Sequence, residues 1–114
     1  METYIKNIEH STVLPLASQV EYQAGQIASK TLAQSNHHSL TLFAFEKGEE
    51  ISSHESKGDA FVQCLDGVGR ITIGDKEYVL NAGEAIVMPA RVPHAVYAVE
   101  RFKMLLTVIF TEKQ

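Results

Sequence analysis

The chain has a single cysteine, Cys64, so no internal disulfide can form. A reduced, cytoplasmic compartment is the resulting expectation. Long apolar runs are also missing. The run "MLLTVIF" (104–110) falls far short of the roughly 20 residues that a membrane helix needs. The first ten residues, "METYIKNIEH", hold no apolar core of the kind that a signal peptide carries. No stretch is dominated by positive charge. Ten Lys and Arg residues are scattered along a chain of formal net charge −4, which leaves no stripe for phosphates. Neither a nucleic acid nor a membrane is expected as a partner. After residue 30 there is no sustained helical period either.

What is present suits one folded domain. The 114 residues are 45% hydrophobic and 21% charged, ordinary values for a globular protein with a single core. Residues 1–26 mix apolar spacings around Pro15, and are expected to form a short helix or an arm that packs on the rest of the molecule or on a dimer partner. From Ile27 onward the pattern is one of short strands. "QIASKTLAQ" is followed by a loop at "SNHH" (35–38), then by "SLTLFAFEKG" and "EEISSHES". The turn "KGD" (57–59) leads into "AFVQCLDG". In "GRITIGDKEYVL" (69–80), two alternating segments flank Gly74-Asp75, the chemistry of a tight hairpin. "EAIVMPA", "PHAVYAVE" and "FKMLLTVIF" complete the set. Eight or more short strands at spacings of about 8–12 residues predict an all-β sandwich or barrel over 27–114. The last segment is apolar on both faces, so something beyond its own barrel must cover it. A second copy of the chain and the N-terminal arm are the two candidates, and a homodimer is the expectation.

The order of certain residues then resembles a known family. Gly48, five residues, His54, and later Gly67 match the skeleton of the first cupin motif. Gly83, five residues, Pro89, and then His94 match the second, and "MPARVPHAV" (88–96) is similar to that motif in small bacterial cupins. The resemblance spans about residues 40–110. It implies a double-stranded β-helix of jelly-roll type with its site in the barrel mouth. It also implies a metal centre of three histidines and a glutamate, and here the chain departs from it. The first and last histidine positions hold His54 and His94. The second histidine position holds Ser56, and the glutamate position falls on Ala60. The second motif's later glycine falls on Arg91 and its closing asparagine on Ala98.

His54 and His94 are therefore the candidate metal ligands. Two neutral imidazoles suit Zn, Cu, Fe or Ni, held more weakly than by three or four protein ligands, and the expected cofactor is a divalent transition metal (Zn, Ni, Fe or Mn). No organic cofactor is expected. Ser56 should share the lumen face with His54 while Glu55 points away, because strand side chains alternate. By the same alternation Val62 and Cys64 face inward, so Cys64 is a candidate for the site, as well as an ordinary packed residue. Arg91, three residues before His94, is a candidate clamp for a carboxylate or phosphate at the mouth. Asp59 is expected to bond backbone N–H groups in its turn. His10, His37 and His38 are placed at the surface. Phe43, Phe45, Phe61, Phe102 and Met104 read as core residues, any of which can line a pocket. Three functions remain open on these grounds. The first is a module that binds a small polar ligand, with or without metal. The second is a metal-dependent dioxygenase, isomerase or decarboxylase. The third is a metal-free structural or interaction protein.

Overall fold

The structure, a computed structural model, describes residues 3–111. Seven strands dominate them: β1 (Ile27–Gln34), β2 (His38–Phe45), β3 (Glu50–His54), β4 (Asp59–Ile73), β5 (Lys76–Asn81), β6 (Ala85–Met88) and β7 (His94–Ile109). The only helical element among them is a single 3-10 turn, Leu16–Gln19. Among the described residues, no helix is long and apolar enough to cross a membrane.

All pairings are antiparallel. β4 and β7 run the length of the molecule side by side, with Asp59 opposite Ile109 at one end and Ile73 opposite His94 at the other. The first half of β4 also pairs with β6 and its second half with β5. The second half of β7 pairs with β2, which carries β1 on its far edge, and its first half pairs with β3. The two long strands thus belong to both walls of a jelly-roll barrel.

Fewer strands form than the sequence suggested because two pairs of segments fuse. "AFVQCLDG" and "GRITI" are one strand, and so are "PHAVYAVE" and "FKMLLTVIF". Gly67 reads as a strand stop, but here it permits a bulge. The register shifts between Cys64 and Asp66 and again between Gly67 and Gly69, letting β4 bend from one wall to the other. Gly67 takes φ +77°, and a Cβ on it would strike the Arg101 carbonyl of β7. The Gly74-Asp75 hairpin forms as expected, with Ile73 opposite Lys76 and Gly74 at φ +62°.

The barrel is filled by alternate residues of its strands. Phe45, Val62, Ile71, Ala98, Phe102 and Met104 are almost fully buried in one cluster. A second cluster lies on the opposite face of the larger wall. There Leu42, Ala44, Leu65 and Leu105 meet Ile8, Leu16, Val20 and Tyr22 of the arm. The arm therefore covers the outer face of the final strand around Leu105. It is pinned by Lys103 Nζ donating to the Ala17 carbonyl (2.6 Å) and Tyr22 Oη donating to Asp66 (2.5 Å). Desolvation and the Asp66 carboxylate together raise the Tyr22 pKa. Phe61 departs from the core expectation. It points outward beside Val87 and is 40% exposed.

Candidate functional site

β3 and β7 end together at the barrel mouth, where His54 and His94 are cross-strand partners. Their rings meet edge-on, with centroids 4.4 Å apart and planes at 70°. His54 Nδ1 lies 2.9 Å from the Ser52 carbonyl, and His94 Nδ1 lies 3.1 Å from the Val92 carbonyl. A carbonyl oxygen only accepts, so each Nδ1 carries the proton and donates it. Each neutral ring then presents a bare lone pair at Nε2. Those two atoms face each other at 3.2 Å. Two lone pairs in that position repel unless a proton or a metal ion lies between them.

His94 is only 3% exposed, whereas His54 is open to solvent. Burial lowers the His94 pKa. The Val92 carbonyl opposes that shift and the neighbouring His54 reinforces it. His94 is thus kept neutral and able to act as a ligand.

Behind the pair lies a cavity of about 490 Å³. Most of its wall is apolar: Phe43, Ile51, Ala60, Met88, Val96, Met104, Leu106 and Val108. The polar lining is confined to His54, His94 and the segment Glu55, Ser56 and Lys57. Strict alternation would have turned Glu55 away. The strand ends at His54, however, so the three following residues all reach the cavity rim. The Ser56 carbonyl accepts the Arg91 N–H, and its hydroxyl accepts the Gly58 N–H, which ties this segment to the neighbouring turns.

Two of the sequence candidates lie elsewhere. Arg91 lines a separate surface cleft with Asp59, Ala90 and Phe110, and its side chain does not reach the cavity. Its backbone explains why the family pattern has a glycine at this position, and nothing in the structure explains the arginine. φ is +63°, the left-handed conformation that glycine adopts most easily. Cys64 faces inward as alternation requires but sits deeper, outside the cavity wall. Its Sγ–H points at the carbonyls of Asp66 (3.5 Å) and Gly67 (3.6 Å). Burial pushes the thiol up to about 11, so it is not a ready thiolate. Asp59 accepts a backbone N–H, but from Ala90 in the loop between β6 and β7 (2.8 Å) and not from within its own turn. His10 bonds the Ile5 carbonyl, His38 bonds Ser35, and His37 is exposed, all away from the cavity.

The cupin domain model matches residues 41–110. The chain is a cupin. A conserved protein of unknown function from Streptococcus pyogenes is 47% identical to it, with 97% of each chain covered and a TM-score of 0.95. A cupin superfamily protein from Desulfitobacterium hafniense is 35% identical over 96% of this chain and 100% of its own, with a TM-score of 0.91. A cupin 2 conserved barrel domain protein from Leptotrichia buccalis is 43% identical, with a TM-score of 0.81. That match covers 83% of this chain and 46% of the other. No curated protein matches.

Cupins often carry a metal, and this cupin's donors fit one in part. The two Nε2 atoms are spaced like neighbouring ligands of a first-row metal at about 2.0–2.1 Å, and both rings are oriented by Nδ1 hydrogen bonds. Among the described residues, no group of three His, Cys, Asp or Glu side chains gathers to complete a shell. The place of the family's glutamate is taken by Ala60, which is buried and apolar.

Proposed function

We propose that this cupin binds a small molecule with an apolar body and one polar head. The body fills the cavity, and the head lies at the rim against His54 and His94. A transition-metal ion held by the two Nε2 atoms joins protein to ligand. The observation that carries this reading is the pair of facing Nε2 atoms, each made an acceptor by an Nδ1 hydrogen bond. Such a pair attracts a cation and leaves coordination positions for the head. The sequence alone suggested a polar ligand. The apolar wall favours a molecule that is polar at one end only. A metal held there by His54 and His94 would anchor and orient the head. The chain's own residues bind the body, exclude water from it and orient the head.

Elemental analysis of untagged protein, purified without chelator or nickel resin, tests the reading beside His54→Ala. Near-stoichiometric metal in the parent, lost in the variant, is the expected result. Absence of metal from both, even after incubation with Zn, Ni, Fe, Mn and Cu salts, overturns it.

A homodimer is part of the same proposal. Phe61, Val87 and Ile109 are all at least 40% exposed on the outer face of the larger wall. Light scattering giving twice the chain mass of 12.6 kDa supports the dimer, and a mass of one chain rejects it.

A further inference from the structure

The cavity that holds the histidine pair also holds two thioethers. Met88 and Met104 both line it and are 2% and 1% exposed. Met88 is the cross-strand partner of Ala60. Ala60 occupies the position where the resemblance calls for a carboxylate. At that level of the lumen the hard oxygen donor is absent, and a methionine is the cross-strand partner of the position. Residues paired in this way have Cβ atoms about 4.5–5.5 Å apart, so the methionine side chain commands the space that the small alanine leaves. Met104 enters from β7, opposite Phe43 of β2. Among the described residues, the only carboxylate on the wall is that of Glu55, which is exposed at the rim.

We infer that Met88 and Met104 are thioether donors, and that with His54 and His94 they select Cu(I) over the divalent metals. The inference rests on the histidine pair holding a metal, and it names which one. Three features agree. Thioether and imidazole donors suit Cu(I), while carboxylate and water suit the harder ions. Cu(I) is satisfied by as few as two or three donors, so the histidine pair and one thioether suffice and a position stays open for the head. Zn, Ni, Fe and Mn take further nitrogen or oxygen donors, and the apolar wall behind the pair offers none. A single positive charge also costs less to bring into that cavity than a double one. Both methionines also pack in the hydrophobic cluster, the role of flexible filler that the leucine variants below retain.

The test is anaerobic competition with bicinchoninate for Cu(I) and with a chromophoric chelator for Zn(II). It compares the parent chain with Met88→Leu, Met104→Leu, the double variant and His54→Ala. Met→Leu conserves volume, so the fold is retained. The parent is expected to bind one Cu(I) in preference to Zn(II). The double methionine variant should lose about tenfold or more in Cu(I) affinity, with Zn(II) affinity unchanged. His54→Ala should lose both metals. Tighter Zn(II) than Cu(I) binding in the parent, or Cu(I) affinity indifferent to both methionines, overturns the inference and leaves the histidine site standing. Binding of neither metal overturns both. X-ray absorption of the copper-loaded parent gives a second reading that needs no variant. At least one sulfur neighbour of copper is expected, and a shell of nitrogen and oxygen alone refutes the thioethers.

Discussion

Gly69→Ala is expected to destabilise the barrel through one identifiable contact. A Cβ on Gly69 would lie 2.7–2.8 Å from three carbons of the Phe102 ring. Comfortable carbon contacts are about 3.5–4.0 Å, so the ring tip must retreat by nearly 1 Å. It has little room, since Phe102 is 0% exposed and its centroid is 5.6 Å from that of Phe45. Overpacking of this kind costs about 1–3 kcal/mol. Replacing glycine returns about 0.4–1 kcal/mol by restricting the unfolded chain. The net loss is therefore about 1–2 kcal/mol, or roughly 0.5–1 M in urea midpoint for a protein of this size. Phe102→Leu removes the ring tip, and in that background the cost of Gly69→Ala should largely vanish. Urea unfolding followed by far-UV circular dichroism on the four proteins of this cycle measures the coupling, expected at about 1 kcal/mol or more. Equal costs of Gly69→Ala in both backgrounds would refute the packing argument. Gly67→Ala is the contrast. Its Cβ meets the Arg101 backbone carbonyl, which no side-chain change relieves, so Phe102→Leu should not rescue it.

Tyr22→Phe should cost about 1 kcal/mol by deleting the hydrogen bond to Asp66 and should speed proteolysis within the first 26 residues. Unchanged proteolysis would show that the arm is held by its apolar contacts alone. Native Cys64 should resist thiol reagents at pH 8, since burial keeps it protonated, and should react on denaturation. Rapid native labelling would contradict that placement. The His94 pKa is depressed in the folded state, so below its unfolded value of about 6.5 the unfolded chain binds the extra proton. Stability of the metal-free protein is then complete above that pH and falls as the solution is acidified. In urea titrations across pH 5–8, His94→Gln should flatten that slope, and an unchanged slope would assign it to other groups.

The barrel was legible because its signals are local. Strand-like segments, the Gly74-Asp75 turn and the ordered glycines, proline and histidines of two motifs all survive in a single sequence. The fusion of segments was not legible, because Gly67 looks the same as a stop and as a bulge. Only the close approach of Arg101 on β7 distinguishes the two. The arm's role was open for the same reason. Ile8, Leu16 and Val20 find their partners on β2 and β7, far along the chain. At the site, the resemblance named His54 and His94, and the folded chain pairs them across β3 and β7. Arg91 was misplaced because a position near a motif says nothing about side-chain direction once the backbone turns left-handed. Met88 and Met104 gave no signal beyond hydrophobicity. Their alternation marks them as inward-facing, but core and cavity wall share that pattern.

The central claim is that both imidazoles turn an unprotonated Nε2 toward one shared cation. Long-range ¹H–¹⁵N spectroscopy of the histidine rings at pH 8, before and after addition of metal, tests it most directly. The Nδ1–H tautomer is expected for both His54 and His94 in the metal-free protein. On metal addition, the two Nε2 resonances are expected to move together. An Nε2–H tautomer in either ring, or a shift confined to one of them, would contradict it.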